Sequence, residues 1–291
     1  MYVPEKFNKA DKLPAIMVVG PKGAVKEQTA GIYAKKLSEK GFLTLVINHR
    51  TYGESGGEPR HYENPYMKIV ALICARGNSR GIKNKNLLKF KNTTLLGNAI
   101  KQAFRSKYIN RVIVSTDSDK IAREALKNKA EVPFVRPSKL AKDNSPEIQT
   151  WIHAIKFLNK DKSIDFIVSV PTTSPLRTIS DIDNCIKRAI KKDLDMVFSV
   201  TKASKNPYFN IVQLKNKKLS LVCSPKKSIF RRQDAPNCYD LTTVCYVFKP
   251  EYIMKQKNLF SGKTGYVVIP KHRATDIDDK IDYKIANFLS H

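Results

Sequence analysis

The sequence is poor in acid: 26 Asp and Glu stand against 53 Lys and Arg in 291 residues, a formal net charge of +27. It is also poor in paired cysteine. Its five cysteines are odd in number and none stand at C-x-x-C spacing, which argues against a disulfide framework or a zinc site. No apolar run approaches the ~20 residues that a bilayer span needs. The longest clean one, from Ile69 to Ala75, reads as a buried strand. Met1-Tyr2-Val3-Pro4-Glu5-Lys6 has no apolar stretch behind a basic start, so the expectation is a cytoplasmic chain with no export signal and no membrane partner. What is present, 42% hydrophobic and 27% charged residues, suits a globular protein with a real core and not a disordered, collagen-like or repeat chain.

Excess positive charge draws anions, and nucleic acids, nucleotides and acidic sugars are all anions. The lysines are spread through nearly every segment, and runs such as Lys191-Lys192 meet Asp193 and Asp195 within a few residues. That pattern reads as solvated surface. No signature of a common nucleic-acid-binding module is present, so nucleic acid is not the expected partner.

Two unlike pieces join near Pro65. In the first, residues 13–19 are apolar and β-rich, Gly20-Pro21-Lys22-Gly23 is a turn, and Ala30, Tyr33, Ala34 and Leu37 mark a helical face that Gly41 stops. Residues 42–47 make a second strand, followed by a Gly-rich stretch at 49–57. This β-α-β start resembles the opening of α/β-hydrolases of the dienelactone-hydrolase-like kind, over residues 1–65 only. Gly53-Glu54-Ser55-Gly56-Gly57 satisfies G-x-S-x-G, but a nucleophile elbow needs a helix directly after the serine, and Glu58-Pro59-Arg60 follows instead. Ser55 is therefore not expected to be a nucleophile. Residues 1–66 read as a truncated, noncatalytic fragment, too small to bury a sufficient core alone.

From Met67 the rhythm restarts with a buried strand. A helix capped by Thr93 or Thr94 runs to about residue 106, 111–115 is a strand, 117–129 a helix, and Ile148, Trp151, Ile152 and Ile155 mark another. Residues 166–170 read as a strand, 179–191 as a helix and 196–200 as a strand. The alternation predicts an α/β fold over 67–291, a mainly parallel sheet flanked by helices. Residues 201–240 lose it and are expected to form an extension or dimer arm. The pattern returns at 242–248, at 266–269 and in a last helix near 280–289.

Ligands of open α/β sheets bind outside the carboxyl ends of the strands. The loop leaving the first long strand, residues 75–86, carries two glycines, two arginines, two lysines and several amide or hydroxyl donors. Glycines let backbone N–H groups approach phosphate oxygens, Arg binds them as a fork and Lys as a point charge, so the loop has the composition of a polyphosphate cradle. It matches neither G-x-x-x-x-G-K-[ST] nor G-x-G-x-x-G.

The run from Leu72 to Leu87 resembles the signature of acylneuraminate (CMP-sialic acid) cytidylyltransferases, A-R-x-x-S-K-G-hydrophobic-x-x-K-N, with Arg80 where Lys is usual. Ser115-Thr116-Asp117, Arg136-Pro137, Asp143, Thr173-Ser174-Pro175-Leu176-Arg177, Arg232-Gln233 and Asp276-Ile277-Asp278 follow in the family's order, so the match spans about residues 67–290. The resemblance implies a Rossmann-like (GT-A-like) nucleotidyltransferase with a small dimerisation extension, working as a homodimer. It implies transfer of CMP from CTP to the hydroxyl of an acidic sugar, with Mg²⁺ as cofactor and pyrophosphate released. Arg76, Ser79, Arg80, Lys85 and Asn86 would hold the CTP phosphates and ribose, with Arg76 and Lys85 as the catalytic pair at the α-phosphate. Arg136 and Asp143 would lie on the base side, Arg177, Arg232, Gln233 and Tyr246 on the sugar side, and Asp276 and Asp278 would ligate Mg²⁺. Alternate carboxylates on an extended segment suit that ion on their own chemistry, since Mg²⁺ takes one or two carboxylates plus substrate phosphates.

The sugar side departs from the pattern. Where the sialate enzymes read Q-P-T-S-P-L-R, this chain has Pro171-Thr172-Thr173-Ser174-Pro175-Leu176-Arg177, and Asp240-Leu241-Thr242-Thr243 replaces a stretch with a second Arg and an Asn-Gly. The acceptor's identity does not follow, and for Arg177 a structural role in the Pro-rich turn is equally open. The alternatives are a nucleotidyltransferase for another sugar and a noncatalytic nucleotide- or RNA-binding protein. His153, Trp151 and the cysteines read as packing. His49 and His61 fall in the first piece, and His272 stands near the acidic segment.

Overall fold

Runs of Val, Ile and Leu bounded by turn residues build the strands, and Thr or Asp caps start the principal helices. The computed structural model describes residues 1–5, 7–8, 12–19, 29–47, 67–79, 81–158, 164–224, 227, 229–255 and 258–290. The chain divides into two units, Met1–Met67 and Lys68–His291. Ser55, His49, His61 and Arg80 lie outside the described residues.

The first unit holds β1 (Ala15–Val19), α1 (Thr29–Glu39) and β2 (Leu43–Ile47), with β1 and β2 parallel. Gly41 ends α1 at φ +93°, a conformation that costs glycine little, and its N–H donates to the Ser38 carbonyl at 3.0 Å. Ala30, Ala34 and Val46 form a small core with Tyr2 and Val18 packed on it. Met17, Val19, Leu45 and Ile47 are exposed, so one face of this two-stranded sheet is bare.

The second unit runs β3 (Ile69–Cys74), β4 (Lys89–Phe90), β5 (Thr93–Thr94), α2 (Leu95–Phe104), β6 (Arg111–Ser115), α3 (Asp119–Lys127), α4 (Glu147–Leu158), β7 (Phe166–Ser169), α5 (Ile179–Lys191) and β8 (Met196–Lys202). It continues through β9 (Val212–Lys215), β10 (Lys218–Leu221), β11 (Tyr239–Phe248), α6 (Pro250–Lys255), β12 (Thr264–Val268) and α7 (Lys280–Phe288). Its main sheet has the order β12-β8-β11-β7-β3-β6. All pairings are parallel except those of β11, which runs against both neighbours. The expected mainly parallel α/β sheet is therefore present, with one reversed strand inserted. β3 reads as an unbroken apolar run because helices cover both its faces.

Thr94 caps α2 by accepting from the Gly97 N–H at 2.9 Å, and Thr178 with Asp181 forms a capping box on α5. Trp151 of α4 is buried and stacks on Phe248 at 4.7 Å. The segment without α/β rhythm contains the antiparallel hairpin β9–β10, exposed along nearly its whole length. From β3 the chain goes to β6 on one side and then to β7 on the other. The crevice outside β3 and β7 is thus the place where strand order reverses, and where such sheets bind ligands.

Candidate active site

Leu72 of β3 pairs with Ser169 of β7, so the loops leaving these neighbouring strands open side by side. Between them lies a cleft of about 240 Å³ lined by Arg76, Ser79, Gly81, Lys85, Asn86, Thr172, Thr173 and Asp278, with Cys74 and Pro171. The acidic segment before α7 forms its far wall. It docks by the Ile277 N–H donating to the Thr173 carbonyl at 2.9 Å. Asp279 and Asp282 then fix the turn through a capping box, and the Asp278 N–H donates to the Asp282 carboxylate at 3.0 Å.

Lys85 joins the two walls. Its ammonium donates to the Ile277 carbonyl at 2.7 Å and stands 3.5 Å from the Asp278 carboxylate, which is 81% exposed. Gly81 lets the walls meet: a Cβ there would lie 1.9 Å from the Asp278 carbonyl oxygen. Asn86 is buried and acts as a rivet. Its amide N–H donates to the Arg76 carbonyl at 2.9 Å and its amide oxygen accepts from the Thr172 hydroxyl at 2.6 Å, which ties the β3 loop to the β7 loop. The Gly77 N–H donates to Asp117 at 2.8 Å, adding the loop after β6. Arg76 pairs with Asp143 at 2.6 Å, both partly exposed, so a fork-shaped cation is held at the rim.

Asp276, two residues before the cleft-lining Asp278, is the electrostatic anomaly of the acidic segment. Burial raises its carboxyl above the usual carboxylate range; the Thr173 and Thr243 hydroxyls and Lys85 act against this, and Asp278 adds to it. Its Oδ1 is buried and has no hydrogen-bond partner among the described residues. An unpartnered carboxylate oxygen beside a second, exposed carboxylate fits a hard cation that draws its remaining ligands from phosphate and water. Among the described residues there is no group of three or more His, Cys, Asp and Glu that could hold a metal by themselves.

The residues expected on the base and sugar sides are placed differently from one another. Arg136 is buried, and its guanidinium donates to the Ser115 hydroxyl at 3.1 Å and to the Ser115 carbonyl. It braces the end of β6 and does not line the cleft. Arg177 is also buried, donating to the carbonyls of Ser174 at 2.8 Å, Val244 at 2.6 Å and Pro171. Burial lowers its pKa to about 10, and the geometry gives it the turn-holding role that the sequence left open. Arg232 and Gln233 line a separate groove of about 380 Å³ with Lys202, Lys205 and Asn206. Tyr246 lines an apolar cavity beside Trp151. His153 packs edge-on against Phe134 at 5.2 Å, and His272 is exposed on the segment that leads to Asp276.

Sequence reasoning missed an anchor behind the cleft. The Arg273 guanidinium donates twice to the buried Asp181 carboxylate, both at 2.9 Å, and so pins the chain entering the acidic segment to the start of α5. It also missed Thr172, for which the rule that ligands sit at strand carboxyl ends was the available signal.

A family model described as cytidylyltransferase matches residues 70–267. The chain is 35% identical over 224 residues to CMP-N,N'-diacetyllegionaminic acid synthase of Campylobacter jejuni, covering 76% of this chain and 94% of that one. It is 32% identical over 226 residues to post-translational flagellin modification protein B of Campylobacter coli, with the same coverage. A different relative, the uncharacterized protein YcjY of Escherichia coli, is 54% identical over 76 residues, 25% of each chain. That relative's description names no activity, so the hydrolase-like resemblance of the first unit gains none from it. Among solved structures, CMP:2-keto-3-deoxy-manno-octonic acid synthetase complexed with CTP superposes with TM-score 0.59 at 11% identity, covering 77% of this chain and 98% of that one, a likeness of fold.

Proposed function

The chain belongs to the cytidylyltransferase family, and on that premise we propose that its cleft transfers CMP from CTP to the hydroxyl of an acidic, nonulosonic-type sugar. The observation that carries the reading is the meeting of the basic loop 76–86 with the acidic segment 276–278 across one cleft, through Lys85. In the reaction, an acceptor hydroxyl oxygen forms a bond to the α-phosphorus, the bond from that phosphorus to the bridging oxygen of the β-phosphate breaks, and pyrophosphate leaves with the electron pair. The hydroxyl proton passes to solvent.

Such transfer is mostly positioning and charge stabilisation. Arg76 supplies a forked donor and Lys85 a point charge to the phosphate oxygens, while Ser79 and the backbone around Gly81 line the same wall. Asp143 holds Arg76 extended until phosphate takes over its guanidinium. Asn86 keeps the β3 and β7 loops at fixed separation. Asp276 and Asp278 would hold Mg²⁺, which when bound neutralises phosphate charge and orients the leaving group.

We also propose a homodimer formed through β9–β10. Val212, Leu214, Leu219 and Leu221 share one face of this hairpin by register, with Gln213, Lys215, Lys218 and Ser220 on the other. Leu214 and Leu219 are 73% and 72% exposed. A lone two-stranded hairpin is marginal in water, and an uncovered apolar face invites a second copy. No helix among the described residues is long and apolar enough to cross a membrane.

The deciding experiment is pyrophosphate release by the full chain from CTP, Mg²⁺ and a panel of nine-carbon 2-keto sugar acids. Turnover that depends on both CTP and a sugar acid is expected. Absence of turnover with every member of the panel would refute the reading.

A further inference from the structure

The segment that carries Asp276 and Asp278 is neither helix nor strand from Ala274 to Asp278. Without a ladder or a helical turn, its course is set by discrete bonds, and these can be traced from either end. Downstream, the Asp279 capping box fixes Asp278 at the start of α7. In the middle, the Ile277 N–H donates to the Thr173 carbonyl at 2.9 Å, and the Ile277 side chain is buried in a cluster with Ile82, Phe90 and Leu95. Upstream, Arg273 ends a short 3₁₀ turn, and its guanidinium grips Asp181 through Nε and Nη2, each at 2.9 Å. A fork on a carboxylate fixes direction as well as distance.

What Arg273 grips gives this contact its meaning. Asp181 is buried, and the Thr178 N–H and hydroxyl both donate to its carboxylate at 2.8 Å, so the arginine's partner is itself held still. Thr178 directly follows the 171–177 turn, which supplies Thr172 and Thr173 to the phosphate cleft. The acidic segment is therefore tied at two points, residues 273 and 277, to the one stretch of chain that builds the β7 wall. Asp276 lies between those ties, and Asp278 lies beyond them under its own capping box. A segment tied at one point can pivot about it. The second tie removes the pivot.

Resting on the cytidylyltransferase reading above, we infer that Arg273 is a positioning residue: through Asp181 it sets Asp276 against the β7 wall, and so sets how strongly Mg²⁺ and CTP favour each other's binding. Arg273 does not line the cleft. Two carboxylates alone hold Mg²⁺ weakly and need substrate phosphates to complete its shell, so the effect of Arg273 belongs to the state with both ligands bound. CTP without the cation rests on the basic loop, which has its own anchors in Asn86 and Asp117. Groups that orient metal ligands from behind are worth about 10- to 100-fold in metal affinity. Arg273 acts across three residues of chain, which places it at the lower figure.

The test measures the Kd of CTP by calorimetry on the full chain without acceptor, once in EDTA and once in excess Mg²⁺. Wild type should bind CTP more tightly with Mg²⁺ present. In Arg273→Gln that gain should shrink about tenfold, with the Kd in EDTA unchanged. Arg273→Lys keeps the charge without the fork; it should fall between the two, and it carries the test if the Gln variant does not fold. Ser106→Ala is the matched control. It removes a buried 2.6 Å hydrogen bond to Asp183 of the same helix, so it should lower the melting temperature and keep the full Mg²⁺ gain. A wild-type gain in both Arg273 variants, an equal weakening in EDTA and in Mg²⁺, or the same loss in Ser106→Ala would overturn the inference and leave cytidylyl transfer standing. So would a wild-type chain whose CTP affinity ignores Mg²⁺. A wild-type chain that binds no CTP in either condition would overturn the underlying reading as well.

Discussion

Replacing Gly81 by Ala tests whether the basic and acidic walls must meet for the chemistry to occur. The new Cβ would sit 1.9 Å from the Asp278 carbonyl oxygen and 3.1 Å from its carbonyl carbon. Both are backbone atoms, so no side chain can swing away. Ordinary contact requires the walls to part by about 1.5 Å. A displacement of that order between groups that position a reacting phosphate costs roughly 100-fold in rate, or about 2.7 kcal/mol of transition-state stabilisation. Gly81 is exposed and its backbone is not in the left-handed region, so the melting temperature should fall only by the cost of parting the walls, and the chain should still fold. Gly77→Ala is the matched control. Its Cβ would stand 3.0 Å from the Ser118 Cβ, which a few tenths of an ångström relieves, so its rate loss should be much smaller. The assay is continuous pyrophosphate release with CTP and a sugar acid, read as kcat and KM alongside a melting curve. Wild-type kcat/KM in folded Gly81→Ala would refute the idea that the two walls act as one site.

Lys85→Ala removes one charged donor to the phosphates and should depress kcat/KM by on the order of 100-fold with the fold retained; pyrophosphate release together with circular dichroism checks this. Arg177→Ala strands three carbonyls now served by one guanidinium, two of them buried, and should cost about 3 kcal/mol in chemical denaturation while giving KM values near wild type where folded protein remains. Burial alone would raise the Asp181 carboxyl, but the Arg273 guanidinium and the Thr178 donors more than reverse this, so its pKa is lowered. Its stabilisation is therefore fully present above the ordinary carboxylate pKa of ~3.9 and is lost as pH falls below it. Asp181→Asn should flatten the acid limb of the stability curve, measured by urea denaturation, below that pH and leave its slope between neutral pH and that value unchanged. Leu214→Asp with Leu219→Asp should convert a dimer to a monomer in sedimentation, and a wild-type chain that sediments as a monomer would end the dimer proposal.

Local chemistry explains which parts of the architecture could be read from the sequence. The boundaries of α5 fell at Ile179 and Lys191 because the Thr178 and Asp181 cap precedes a strong apolar period. β3 was legible as a continuous apolar run because it is buried on both faces. What no period encodes is direction. β11 carries the same β-rich pattern as its parallel neighbours, and only its pairing with Ser169 and Val197 shows that it runs against them. The β9–β10 hairpin was seen only as a loss of rhythm, since its alternation is four residues per strand and nearly all of its residues are exposed.

The site divides by the same logic. Arg76, Lys85, Asn86 and Asp278 were legible because loop composition and chain order single them out, and the fold brings them to one cleft. Arg136 and Arg177 carry the same residue type in equally suggestive motifs, yet their guanidinium groups are buried against carbonyls. Charge type cannot separate these fates, because an arginine that binds phosphate and one that braces a turn both present planar donors to oxygen. The difference lies in what else is near: Ser115, Ser174 and Val244 supply fixed acceptors, while among the described residues Arg76 pairs with the exposed Asp143 carboxylate, which an anion can replace. Asp276 is an intermediate case: the Thr173 and Thr243 hydroxyls serve its carboxyl, yet its Oδ1 has no hydrogen-bond partner among the described residues. A partner shell is a three-dimensional quantity, and it is the partner shell that separates the bracing arginines from an acid with one oxygen to spare.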